Sequence, residues 1–362
     1  MKTCIIILLM VTPCLRPVAQ CLVTYQDFNN FVYVFDAGEG KYIENQPLRS
    51  YKIGRNDIMA YIAENGRLKL YYKGKVTTLL DYAPNYYMTE NWFLYQNFNV
   101  VKVLYKDSFM LLENLFTPGS DSLYYSDSVI VWSNQHGEIN AFYGGQTYLL
   151  ERSPIHRAKI GPNIFVYADI NGNFKVFYRG QLQTLETYEP ANYALDQDML
   201  MYTDQYDNYK FFHDGELSET NDANTFKEYR VGKDFAVFLS TVREFTVYYK
   251  GEETVLMDDK PVRYTAHKNM LVYTDKGNNF WCWYQGKKYW LERYTPLSYK
   301  VDDNIVVYQD LDGRLKAFYY GEQVDVSDQI VDKYSLINEA VTYSIQPYET
   351  KIWCNKKTYT FK

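Results

Sequence analysis

Five acidic residues recur at one place in this chain: Asp81, Glu113, Glu151, Glu186 and Glu292 each follow a leucine. A ring of carboxylates can bind cations or move protons in acid–base catalysis. A catalytic pair, however, stands apart from its surroundings, whereas these acids return with every unit of sequence. Lys69, Lys175, Lys210 and Lys316 return at a second fixed place, so the expected chemistry is structural, as cross-strand ion pairs. "DING" at 169–172 and "DLDG" at 310–313 contain calcium-loop residues but lack the further ligands and the distant Glu of such a loop. Hairpin turns want the same residues.

His136, His156, His213 and His267 have no metal-ligand spacing between any two. His213 takes the place of a strand tyrosine and reads as a packing residue. There is no nucleophile elbow, P-loop, dinucleotide fingerprint or zinc signature. No catalytic residue, cofactor or metal site is therefore expected.

Three departures remain. In "NFWCWYQGKKYWLERY", 279–294, Trp281 stands where other units carry a lysine, and Trp290 where they carry Leu149, Thr184 or Asp325. With Tyr289 they form a candidate platform for a sugar ring or a partner's side chain; the alternative is tighter packing between units. His156 and Arg157 fall in a passage between units, where loops tend to carry function, and make a second binding candidate. The stretch 213–229 loses the leucine–acid–proline ending and reads as a polar outer edge.

The elements that position these residues follow from a repeat. An aromatic anchor recurs at Tyr25, Tyr61, Tyr95, Trp132, Tyr167, Tyr202, Phe238, Tyr273, Tyr308 and Tyr343, spaced by 34 to 37 residues. Around it each unit has a short strand with a tyrosine nine residues upstream, the anchor strand, an Asn/Asp-Gly hairpin, an alternating third strand ending at glycine, and a short fourth strand. A proline such as Pro154, Pro190 or Pro296 then stops the sheet, because it cannot donate to a ladder. Such four-stranded meanders bury their faces by stacking around an axis. The fold expected is an all-β propeller of about ten four-stranded antiparallel repeats of about 35 residues, with two smaller propellers or an open array as alternatives.

The blade pattern resembles the WD40-like blades of TolB-type periplasmic propellers, in its strand, its "D-x-[DN]-G" hairpin and its short strand after a glycine. "VDDN" and "GPN" stand here where those blades carry "SPDG". The resemblance implies a propeller outside the cytoplasm and carries over no functional residue.

Residues 1–20 read as a signal peptide, with Lys2, the apolar run "CIIILLMV" and the cleavage region "RPVAQ". Residues 21–362 then form a single domain that is periplasmic, on the cell surface or secreted. Of the three cysteines left after cleavage, Cys21 and Cys354 lie in the first and last units, so a clasping disulfide is the pairing considered; the alternatives are two free thiols or lipidation of Cys21. The net charge of −6 excludes a nucleic-acid binder, and no segment after the signal is apolar enough to cross a membrane. The function expected is a non-catalytic scaffold of the bacterial envelope or secretome that binds a protein. The alternative is a propeller that recognises polysaccharide, as a binder, glycosidase or lyase.

Overall fold

The computed structural model describes residues 21–361 except 56, 99, 114–122, 207, 220–227, 241–242 and 347–348. The expected signal peptide, Pro118 and the middle of the polar stretch 213–229 lie outside the described residues.

The chain folds as ten antiparallel sheets in sequence order, at 23–44, 50–80, 86–113, 123–151, 156–186, 193–219, 228–257, 263–292, 298–330 and 334–361. These are blades 1 to 10. Blades 2 to 10 have four strands each, and blade 1 shows three among the described residues.

Blade 5 shows how the sequence builds the unit. Its second strand, Ile164–Ala168, is buried along its whole length and its third, Phe174–Tyr178, almost so. A sheet covered on both faces favours such runs of β-branched and aromatic residues. Between them Asp169 turns the chain by accepting the backbone N–H groups of Asn171 and Asn173 at 2.8 and 3.0 Å. Burial would push its carboxyl up, but the hydrogen bonds of Asn173 and Lys175 hold it well below the usual range. The next hairpin places Arg179 and Gly180 at φ of 47° and 86°, the two positive values of a type I′ turn. Gly161, at the end of the first strand, must lack a side chain: a Cβ there would stand 1.8 Å from the carbonyl oxygen of Gln197 in blade 6.

Blade 1 packs on blade 10 through Cys21, Val23 and Phe35 against Ala340, Ile352 and Cys354. Cys21 and Cys354 are joined by a disulfide, with Cα atoms 6.1 Å apart. The ring is thus single and closed, without exchange of strands between sheets among the described residues. Two smaller rings and an open array are excluded.

The lysine–acid pairing differs from the one expected. Lys175 does not pair with Glu186, the acid that ends its own blade; it reaches back to Glu151 of blade 4 at 2.7 Å. Lys210 likewise reaches Glu186 at 2.8 Å, Lys316 reaches Glu292 at 2.7 Å, and Lys69 reaches Glu44 at 2.6 Å. The anchor tyrosines Tyr61, Tyr167, Tyr202 and Tyr308 donate to the same four acids. Asp81 pairs instead with Arg67 of its own blade at 3.0 Å, and the side chain of Glu113 lies outside the description.

A bulge explains the direction. In blade 5 Lys175 stands opposite Thr184, but the register shifts there and Phe174 stands opposite Glu186. Glu186 is thereby turned to the face that Phe174 shares with blade 6, away from Lys175.

His213, which replaces the strand tyrosine, contacts Asp234 of blade 7 at 3.4 Å. That hydrogen bond raises its pKa against the opposing effect of burial, with the Asp214 and Asp234 charges adding to the rise. Its stabilising contribution is therefore complete below its unfolded pKa of about 6.5 and is lost as pH rises through the higher folded value. In urea titrations at about pH 5.5 and about pH 8.5 the advantage of wild type over His213→Tyr is expected to shrink at the higher pH, by at most about 1 kcal/mol. An unchanged difference removes the histidine contribution.

Candidate functional site

Trp281 lies on the third strand of blade 8 and Trp290 directly opposite it on the fourth. Their rings stack with centroids 6.0 Å apart at 24°, and Tyr273 of the second strand extends the row at 6.5 Å from Trp281. Lys288 lies 4.2 Å from the Trp281 centroid and Arg293 5.1 Å from that of Trp290. Trp290 is 47% exposed, while its Nε1 donates to the Glu292 carbonyl at 2.8 Å. The result is a three-ring aromatic row under two cations, open to solvent at the fourth strand.

The inner part of this row has a structural origin. Trp281 occupies the lysine place, and Met257 of blade 7 occupies the place of the acid that this lysine would meet. Both are packed into the blade 7–8 core, and the Trp281 Nε1 donates to the turn carboxylate of Asp275 at 2.9 Å, as Lys175 does to Asp169. The hydroxyl of Tyr273, buried, has no partner among the described residues, because the acid is missing. An ionic junction has been replaced by an apolar one, and Trp290 extends it outward.

Tyr289 does not belong to this platform. It stands opposite Cys282 and packs on Phe318 of blade 9, with centroids 4.8 Å apart, on the other face of the sheet. His156 and Arg157 are likewise not in a passage between blades. They form part of the first strand of blade 5, His156–Ile160, where an irregular register and a positive φ at Arg157 disguise the strand. Arg157 donates to the Pro190 and Ala191 carbonyls, in the passage from blade 5 to blade 6, at 3.2 and 2.8 Å and pairs with Glu189 at 2.8 Å. His156 is exposed. The structure therefore keeps Trp281 and Trp290 together and separates Tyr289, His156 and Arg157 from them.

A second assembly was not foreseen. The hairpins between first and second strands converge at one end of the ring and meet across it. Lys268 of blade 8 pairs with Glu90 of blade 3, five blades away, and with Asp302 at 2.9 Å. Arg55 of blade 2 pairs with Asp303 of blade 9 at 2.9 Å and with Glu90 at 3.1 Å. Asn338 of blade 10 donates to the Gly54 carbonyl at 3.0 Å. Burial would push the Asp302 carboxyl up, but Lys268 holds it below the usual range. Glu339, held by Asn304 at 2.9 Å, goes the other way: burial pushes it up.

Chemically, this cluster binds hairpin to hairpin, so the axis is bridged at that end and is not a smooth wide channel. A cavity of about 470 Å³ lies among first strands of blades 6, 7 and 8, with Asp196, Glu228 and Arg230 in its lining. The short polar phrases "TENW", "HKNM" and "DDNI" were the only signal of the cluster, and none tells which hairpin meets which.

A family model described as a 10-bladed beta propeller domain matches residues 17–359. No curated protein matches the chain. Among solved structures it is similar to the computationally designed Ika8 protein, at 16% identity over 74% of this chain and 95% of that one, with a TM-score of 0.33. It is also similar to Hsv2 of Kluyveromyces lactis, at 10% identity over 64% and 90%, with a TM-score of 0.31. A third is PorZ of Porphyromonas gingivalis, at 10% identity over 92% of this chain and 57% of that one, with a TM-score of 0.29.

Proposed function

Because the chain belongs to the 10-bladed β-propeller family, we propose that it is an exported, non-catalytic binding protein of the bacterial envelope or secretome that offers a rigid outer face to a partner. The observation that carries this reading is the Tyr273–Trp281–Trp290 row, half open to solvent on a blade fixed at both sides. An aromatic row under Lys288 and Arg293 suits an acidic protein segment, whose apolar parts stack and whose carboxylates meet the two cations. Export is supported by the composition of residues 1–20, by the resemblance of the blades to TolB-type periplasmic propellers, and by the disulfide, which persists in oxidising compartments.

The exposed Trp290 ring also favours a second reading, an acidic polysaccharide stacked on the same face. Trp290→Ala separates binding from stability, since the residue is half exposed and its loss is expected to cost within about 1 kcal/mol. Trp281→Ala cuts into packing and is expected to cost about 3 kcal/mol.

The test is crosslinked affinity capture of the tagged mature protein from its own cells, beside the Trp290→Ala variant. The expected result is one envelope protein enriched by wild type and lost with the variant, at unchanged thermal midpoint. If no protein is enriched and a polysaccharide panel binds in a Trp290-dependent way, the second reading replaces the first. Enrichment that survives Trp290→Ala moves the contact to another face.

A further inference from the structure

In a four-stranded meander the hairpins between strands 1 and 2 and between strands 3 and 4 lie at one end of the blade. The hairpin between strands 2 and 3 and the passage to the next blade lie at the other, with the Tyr25 strand of blade 1 counted as its second by its anchor. The eight most exposed large apolar residues among the described ones are all at this other end. Five are in the turns between strands 2 and 3: Phe28, Phe98, Ile170, Tyr206 and Leu311. Val262 and Leu297 follow the prolines of two passages, and Ile330 ends the last strand of blade 9, opposite Arg314. At the end that carries the Lys268–Glu90 cluster, no hairpin has an exposed large apolar residue among the described residues. Single exposed apolar residues are ordinary on a protein surface, but their collection at one end marks an interaction surface.

Phe28, Phe98, Ile170 and Leu311 each stand three residues after the anchor, in blades 1, 3, 5 and 9, so the ring sets them at similar heights along its axis. Phe98 is 81% exposed at a φ of 54°, backbone that a bulky residue seldom adopts. The left-handed residue of the same hairpin is Gly66, Gly137, Gly172 or Gly313 in blades 2, 4, 5 and 9. Folding alone does not favour phenylalanine there. Its ring meets that of Tyr82, itself exposed, at 6.2 Å, which makes a two-ring tip. Charge at this end is matched locally, since the exposed side chains of Arg67, Lys276 and Arg314 pair with Asp81, Asp259 and Asp312.

Polar turn residues such as Asn29, Asn171 and Asp312 separate one tip from the next. A protein partner would need a separate pocket for each tip, whereas a fluid apolar layer admits each on its own, and aromatic side chains suit the boundary between membrane and water. We propose that this end of the ring rests on a lipid surface of neutral headgroups, with Phe28, Phe98, Ile170 and Leu311 entering the interface. The probe is a phosphatidylcholine vesicle, mixed with the mature protein and floated on a density gradient.

Flotation is expected to persist at about 0.5 M salt, where exposed charges are screened, and to gain nothing from added phosphatidylglycerol. Phe98→Asn puts a residue that tolerates a positive φ at this turn. It is expected to weaken partition about tenfold, as for withdrawal of one large apolar side chain, at an unchanged or higher thermal midpoint. Leu311→Ser is expected to weaken it as well, and decides if Phe98→Asn fails to fold. Absence of flotation, flotation that requires phosphatidylglycerol or is lost in salt, or equal partition of wild type and the folded variants overturns the proposal. A dimer of the lipid-free protein that Phe98→Asn dissociates overturns it too, and assigns this end to a second copy of the chain.

Discussion

Serine at both Cys21 and Cys354 is expected to lower the unfolding free energy by about 2–5 kcal/mol, the range for a native disulfide. The two cysteines are 333 residues apart in sequence, so the crosslink restrains nearly the whole unfolded chain. In the folded ring it spans the one seam where neighbouring blades are not also neighbours in sequence. Each blade of a repeat array is held mainly by its neighbours, and at this seam blade 1 brings three described strands where the others bring four. Thermal unfolding of wild type with and without reductant, beside the double serine variant, measures the effect. Hydrogen exchange should quicken first in 23–26 and 350–354. Equal midpoints in all three samples show that the seam closes through its apolar faces alone.

The second large effect concerns the ionic junctions. Glu186 and Lys210 have side chains only 12% and 13% exposed, and Tyr202 donates to the same carboxylate at 2.9 Å. Glu186→Met removes the carboxylate that Lys210 and Tyr202 share, while Lys210 keeps Asp204 at 3.8 Å, and the expected cost of breaking this largely buried pair is about 3 kcal/mol. Adding Lys210→Trp reproduces the Met257–Trp281 arrangement of the blade 7–8 junction and is expected to recover more than half of the loss. Urea unfolding of both variants measures the coupling between the sites. If the second substitution adds its own cost to the first, the two junction types are not interchangeable.

The ring was legible because its evidence is local. The anchors from Tyr25 to Tyr343 keep their spacing, and the turns at "DING" and "DLDG" name their hairpins. What involves neighbouring blades was less legible. Lys175 and Glu186 share a blade and look like partners, and only the bulge after Phe174 turns them to opposite faces. His156 and Arg157 read as a passage because their strand lacks an alternating pattern, for which the positive φ at Arg157 is the structural reason. Tyr289 is next to Trp290 in sequence and therefore on the other side of a sheet, a consequence of strand period that reading by proximity overlooked. The Lys268–Glu90 pair joins residues 178 apart, beyond any local pattern.

The backward reach of the lysines also redraws the unit in which this molecule could grow or shrink. A gene segment cut at the blade boundaries takes an acid from one triad and the lysine and tyrosine from another. A segment of the same length cut one residue earlier than the end of each sheet, from just before Glu151 to just before Glu186, takes Glu151, Tyr167 and Lys175 together. Duplicating that offset segment adds one blade's length of chain with its charges already matched, whereas a duplicated blade matches only if its new neighbours happen to bear the complementary side chains. Recombination that respects electrostatics would therefore cut just ahead of the acid that ends each blade, handing that acid to the blade that follows.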